Sequence, residues 1–267
     1  MARQAWKAAR YVLVFFATAL AVLLVHLFSQ GPEAAILMYH SVGIERAVHT
    51  SLNVPSEVFA RQMDFLSRHQ YRVIRLTELA EKIRRGERIP RKTVVLTFDD
   101  GYENNYINVF PVLKKYGFPA TVFLIASKLG KNHDLVENLT LRIMTGGMAR
   151  EMSDSGLVDF GSHTLRHSYL PGIADKGRLG EEIVGSKKFL EGVFGKPVET
   201  FSYPIGGYSR GIEQMVRAAG YKAAVTINKK NASSRDLYAL KRIKVKSFHP
   251  VSFFVQTSGY YLRLKEI

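Results

Sequence analysis

The sequence predicts an α/β fold with a mainly parallel sheet, closed as a barrel or open, preceded by one N-terminal transmembrane helix. Three observations predict it. Short β-branched and aromatic runs alternate with helically spaced segments from Ile36 to Ser247, which is the pattern of successive βαβ units. The runs end in residues capable of chemistry, namely His40, Asp99, Asp100, His163 and Pro204–Gly207, and such folds hold their sites beyond the C-terminal strand ends. An uncharged, strongly apolar run, Tyr11–Phe28, stands apart at the N-terminus behind Arg3, Lys7 and Arg10.

As a helix that run would be about 27 Å long, close to a bilayer core. A secretory signal peptide has the same charge pattern with a shorter apolar core and a small-residue cleavage site. No clean Ala-x-Ala site follows Phe28, so an uncleaved single-pass anchor is expected at the cell membrane, with secretion after cleavage as the alternative. Basic residues ahead of the span place the remainder outside the cytoplasm. The expected division is 1–30 for the cytoplasmic tip and anchor and 35–267 for the folded domain.

In chain order, Ile36–Tyr39 reads as a buried strand. Ser56–Gln70 has Val58, Phe59, Met63 and Leu66 on one helical face. Tyr71–Ile74 is a short strand, and a helix runs from Thr77 to the Gly86 stop. Thr93–Phe98 is a strand without a turn residue. Glu103–Tyr116 is helical, with a kink or a new start at Pro111. Ala120–Ile125 is a strand, and Ser127–Gly147 has no clear period. Met148–Ser155 is a helix and Leu157–Phe160 a strand. Lys176–Phe194 is amphipathic, with Leu179, Ile183, Phe189, Leu190 and Val193 as candidate core. Glu199–Tyr203, Ala223–Ile227 and Arg242–Lys246 are strands, and Ile212–Ala219 is a helix.

Asp99 and Asp100 follow the Thr93–Phe98 strand, and Gly101 bends the chain. Alternation sends the two carboxylates in different directions, so one can hold a metal while the other stays free as a base. His163 and His167 are four residues apart and share a face on a helical turn. Two imidazoles and one carboxylate make an N,N,O set with positions left for water and substrate. The 267-residue chain has no cysteine, which excludes disulfides, thiolate nucleophiles and cysteine-based zinc sites. With 38 Lys plus Arg against 23 Asp plus Glu, the net charge is +15. That suits an anionic polymer or headgroup surface, but no basic-aromatic platform for nucleic acid is evident. Adjacent aspartates cannot flank a sugar from both sides, so a glycosidase pair is disfavoured.

These motifs resemble the polysaccharide deacetylases with a NodB-homology domain, carbohydrate esterase family 4. Thr97-Phe98-Asp99-Asp100-Gly101 matches the first family motif, and His163-Thr164-Leu165-Arg166-His167 the second. Ser202-Tyr203-Pro204-Ile205-Gly206 matches the third in its proline and glycine but lacks its arginine and aromatic residue. Ile36–His40 and the Tyr-Pro-x-Gly form are most similar to the poly-N-acetylglucosamine deacetylase branch.

The resemblance implies a distorted (β/α) barrel, with the NodB-homology core beginning near residue 92. It implies metal-dependent removal of acetyl groups from N-acetylhexosamine units of an extracytoplasmic polysaccharide. Asp99 would be the base; Asp100, His163 and His167 would be the metal ligands. Tyr203, Pro204, Ile205 and Gly206 would line the substrate and oxyanion site. The cofactor would be one divalent ion, Zn²⁺ first, with Co²⁺, Ni²⁺ or Mn²⁺ as alternatives. The partners would be the polysaccharide and the membrane, without nucleic acid. The family's Asp-x-x-Asp-Trp and Leu-x-Leu-His segments are missing; Ile243–Lys246 stands roughly where the latter would be, with His249 nearby. His40 is a possible acid or a group behind the reacting residues. The alternative is a catalytically weak carbohydrate-binding or scaffold domain on the same fold.

Overall fold

A computed structural model of the chain describes residues 10, 12–16, 18, 34–44, 52–136, 139–227, 236–245 and 250–258. Its centre is a nine-stranded sheet. Along it run β12 (Leu240–Lys241), β11 (Ala223–Thr226), β10 (Thr200–Ser202), β9 (Val158–Ser162), β6 (Ala120–Leu124), β5 (Thr93–Phe98), β1 (Ala35–Tyr39) and β13 (Ile243–Lys244), while β4 (Arg72–Val73) pairs β5 off this path. Every pairing in the sheet is parallel. The end strands β12 and β13 are separated in the chain by Arg242 alone. That junction brings the two edges together, and the sheet forms a nearly closed barrel.

Two apolar layers hold it. Alternate strand residues face opposite sides. Ile36, Val95, Phe123, Val225 and Leu240 come from strands around the ring yet pack in one cluster with Leu76, Leu79 and Ala80 of the Leu76–Arg84 helix. This cluster fills the interior. Leu37, Tyr39, Leu96, Phe98 and Val122 face outward against the surrounding helices, including Ser56–Arg68. Strands β1, β5 and β6 are buried along their whole length, as expected for a parallel sheet covered on both faces.

The helices differ from the sequence expectations in instructive places. Glu103–Tyr116 resolves into a π-helical segment, Asn105–Val109, and an α-helix, Phe110–Tyr116. Pro111, which has no N–H to donate back along the helix, follows the π-helical segment directly, at the second residue of the α-helix. Lys176–Phe194 is likewise divided by a π-helical segment, Glu181–Gly185. Phe189, expected in the core, is 46% exposed, because the inserted residue rotates the helical face after it. The unassigned stretch Ser127–Gly147 contains an antiparallel hairpin outside the barrel, β7 (Asn132–Val136) and β8 (Leu139–Arg142). Ser41–Val42 (β2) and Asn53–Val54 (β3) form a separate small pair. No helix among the described residues is long and apolar enough to cross a membrane. Most of the Tyr11–Phe28 run lies outside the described residues, as does His249.

Candidate active site

Register assembles the site. In β5, Val95 belongs to the interior cluster, so Thr97 and Asp99 share its face and Asp99 points into the barrel mouth. β1 pairs β5 with Tyr39 opposite Phe98, which sets His40 beside Asp99. The Asp99 N–H donates to the Tyr39 carbonyl at 2.9 Å. β9 pairs β6 and β10 through Ser162, which sets His163 beside Ser202. The His163 Nδ1–H donates to the Ser202 carbonyl at 2.8 Å. A carbonyl only accepts, so this bond turns the Nε2 lone pair inward.

Asp99 is 2% exposed and gripped through both oxygens. Arg242 donates from Nη1 to Oδ1 at 2.7 Å and from Nη2 to Oδ2 at 2.6 Å. The guanidinium also reaches Ser202 Oγ at 3.0 Å and Thr97 Oγ1 at 3.3 Å. Burial would raise the Asp99 carboxyl, but Arg242 more than offsets it and holds the group well below the ordinary carboxylate range. Asp99 is therefore ionised and fixed in direction. His40 Nε2 lies 3.9 Å from Asp99 Oδ2; burial lowers this imidazole to about 4, against the pull of Asp99.

Asp100 differs from its neighbour. Its backbone φ is +69°, so the carboxyl turns away from the course of β5. Gly101 follows at φ +76°, and a Cβ there would meet Leu124 Cδ2 at 2.2 Å; glycine is required on both counts. Asp100 Oδ1 lies 3.5 Å from Nε2 of both His163 and His167. It is buried without a hydrogen-bond partner. Burial and the Asp99 charge push the Asp100 carboxyl up to about 8. Burial lowers both imidazoles, His167 to about 3 with His163 and His133 adding to the effect. One carboxyl oxygen and two neutral imidazole nitrogens converge within 4.8 Å. An orphaned carboxyl oxygen facing two imidazole lone pairs is a donor set that fits a divalent cation, and N,N,O donors suit zinc-like ions.

The expected helical turn across His163–His167 is not present. Thr164 and His167 both have φ near +66°, and these left-handed residues fold the segment back on itself. Thr164 Oγ1 accepts from the His167 N–H at 2.9 Å. The buried Glu182, in the π-helical segment, accepts from the N–H groups of Leu165 (3.0 Å) and Arg166 (2.9 Å) and from Ser168 Oγ (3.1 Å). That carboxylate satisfies the turn and aims His167. Ile205 is also left-handed, at φ +58°. Asp100, Thr164, His167 and Ile205 thus place backbone strain around one mouth, a clustering associated with functional sites.

Of the third segment, Pro204 and Gly206 are buried, whereas Ile205 is 68% exposed. Gly206 is tied by its carbonyl to Thr226 Oγ1 at 2.9 Å. The Tyr203 side chain packs into the protein. It is buried, its ring stacks on Tyr208 at 5.0 Å, and its hydroxyl donates to the Tyr238 carbonyl at 3.0 Å. Arg242 and Glu182 belong to none of the sequence motifs. Arg242 stands where the sheet edges meet, and only the closed barrel carries it to Asp99.

The family model for polysaccharide deacetylase matches residues 86–224. A poly-β-1,6-N-acetyl-D-glucosamine N-deacetylase of Staphylococcus epidermidis is 30% identical over 201 residues, covering 72% of this chain and 68% of its own. YxkH of Bacillus subtilis, provisionally named a polysaccharide deacetylase, is 34% identical over 212 residues, 79% of this chain and 70% of its own. Among solved structures, the Streptococcus pyogenes deacetylase PplD in complex with acetate superposes with a TM-score of 0.73 at 27% identity, over 85% of this chain and 99% of that one. IcaB from Ammonifex degensii also gives 0.73, at 25% identity, over 86% and 98%. The chain belongs to the polysaccharide deacetylase family, hydrolases of carbohydrate esterase family 4. Its relatives include poly-β-1,6-N-acetylglucosamine deacetylases.

Proposed function

We propose that this chain is a metal-dependent N-deacetylase, held at the outer face of the cell membrane, that releases acetate from N-acetylhexosamine units of a polysaccharide. The observation that carries the reading is the divided pair: Asp99 ionised and clamped by Arg242, and Asp100 with its buried Oδ1 left without a hydrogen-bond partner and facing His163 and His167. Asp100, His163 and His167 would hold the ion, Zn²⁺ first. When bound, such an ion supplies Lewis-acid polarisation of the acetyl carbonyl and acidifies water.

The remaining work falls to the chain's own groups. Asp99, fixed in direction, takes the proton from attacking water as general base. The Ile205 N–H, on the strained turn, donates to the oxygen that gains charge. The departing nitrogen needs a proton. His40 is neutral in the free protein and beside Asp99, so it passes on the proton that Asp99 has taken. Water, amide and protons then balance to amine and acetate.

The staphylococcal relative's name supports poly-β-1,6-N-acetylglucosamine as the polymer to test first. The weak-catalyst alternative drew on the missing acid motif and the altered motif arginine, and Arg242, which grips both Asp99 oxygens, answers the second of these. Anchoring is supported by the Tyr11–Phe28 run and by Val12, Leu13, Val14, Phe15 and Phe16, all exposed apolar side chains. Acetate release from several N-acetylated glycans by the purified chain tests the activity. Full-length mass in membrane fractions, with the C-terminal part cleavable from outside, tests the location; a soluble chain beginning near Ile36 would refute the anchor.

A further inference from the structure

His133 lies outside the motifs, on the hairpin β7–β8. That hairpin rises after β6, which is flanked in the sheet by the two strands carrying the Asp-Asp and His-His segments. It is pinned to the metal-ligand turn. Tyr102 Oη donates to the Asp134 carbonyl at 3.2 Å, and Tyr102 pairs with Ile143 as an isolated bridge. The Met144 N–H donates to the Gly101 carbonyl at 3.0 Å, and the Ile143 N–H to Lys131 at 2.8 Å.

The His133 ring is held on two sides. It lies nearly parallel to Tyr102, with centroids 6.3 Å apart and planes at 21°. It meets His167 edge to face at 5.2 Å and 69°. The side chain is half-buried. Among the described residues, no protein group hydrogen-bonds its ring nitrogens. It is also outside the set of three ligand atoms that converge within 4.8 Å. An imidazole with both nitrogens unclaimed, fixed beside the reacting centre, has donor and acceptor capacity directed at something other than the protein.

We infer that His133 is a substrate-contacting residue: it hydrogen-bonds a hydroxyl of the hexosamine whose acetyl group is being removed, and the hairpin forms that wall of the sugar site. The inference rests on the deacetylase reading. Acetyl carbonyl, Asp99 and the ion site meet at the barrel mouth, so the attached sugar must lie against the rim. The rim beside His167 is this hairpin. Hexosamine hydroxyls are hydrogen-bonding partners of the kind a fixed imidazole recognises.

The test uses the full chain loaded with zinc, as wild type, His133→Ala and His133→Gln. Acetate release from a β-1,6-linked N-acetylglucosamine oligomer gives KM and kcat, with zinc content and Tm measured alongside. The expected result is a three- to tenfold rise in KM for His133→Ala, about the worth of one hydrogen bond. Zinc content should be unchanged and kcat within about twofold, and His133→Gln should recover part of the loss. Reduced zinc content would make His133 a ligand and overturn the inference. Unchanged kinetics in both variants would make it packing only, with the same consequence, as would a fall in kcat at constant KM. If wild type releases no acetate from any N-acetylated glycan, the deacetylase reading falls separately. Calorimetric binding of the oligomer then decides: weaker binding by His133→Ala supports the contact, and equal or absent binding overturns it.

Discussion

Replacing Arg242 by methionine removes the charge and both donors while keeping much of the side-chain volume. The pair it breaks is buried on both sides, Asp99 being 2% exposed and Arg242 6%. Its two short bonds, 2.7 and 2.6 Å, use both carboxylate oxygens. Removing one partner of such a pair leaves an uncompensated charge and costs about 3–5 kcal/mol. The loss should depend on pH with a definite sign. In the native protein the Asp99 carboxyl is held below its unfolded value, so its contribution is present above pH about 4 and lost on further acidification. Without Arg242, burial and Asp100 dominate and the carboxyl rises above the unfolded value. The variant then loses stability as pH rises from about 4, and its deficit against wild type is larger at pH 7 than at pH 4. Activity falls as well, because a protonated or misdirected Asp99 is no base; a drop of about 10²–10⁴ is expected, partly reversed at alkaline pH. Arg242→Lys keeps charge but not the two-oxygen grip and should fall between. Urea unfolding at pH 4 and 7, with acetate release across pH, reads both effects. A deficit under about 1 kcal/mol, or one independent of pH, would show that Arg242 does not hold Asp99 ionised.

Further expectations follow from the same geometry. Asp99→Asn should keep the metal and lose turnover by about 10²–10⁴, whereas Asp100→Asn should lose both, with excess metal partly restoring the second variant only; metal analysis beside acetate release would expose reversed roles. In metal-free protein the raised Asp100 carboxyl means the unfolded chain releases its proton first. Stability should therefore fall as pH rises from about 4 to 8, and Asp100→Asn should abolish that slope in thermal melts. Glu182→Ala frees the turn around His167, so metal affinity should fall about 10–100-fold, as for other groups that orient ligands; an unchanged affinity by competition with a chelator would show that the turn holds itself.

Much of this molecule was legible from local pattern. Thr93–Phe98 is a strand over the expected residues, because β-branched and aromatic residues suit a pleat buried on both faces. Asp99, Asp100, His163 and His167 meet because they follow parallel strands at one end of a sheet, a consequence of topology that alternation already implied. What was not legible depends on long-range closure or on backbone irregularity. Arg242 is 143 residues from Asp99 and carries no local signal; its importance comes from occupying the single-residue junction between the sheet's edges. Glu182 reads as one more polar position on an amphipathic helix until the π-helical segment turns it inward. His163 and His167 converge through two left-handed residues rather than by helical spacing, so their separation suggested the correct outcome through a different geometry. The hairpin bearing His133 has too short and irregular a pattern to read, and its placement comes from tethers to Gly101 and Tyr102.

On this reading Asp100, His163 and His167 hold a divalent ion that N-deacetylation requires. Acetate release from poly-β-1,6-N-acetylglucosamine, measured on the purified chain before and after chelation and again after zinc is returned, tests it most directly. One metal per chain is expected, with loss of acetate release on chelation and recovery with zinc in wild type but not in His163→Ala at the same concentration. Acetate release that persists in fully metal-free protein, or a His163→Ala variant that retains stoichiometric metal and full activity, would contradict it.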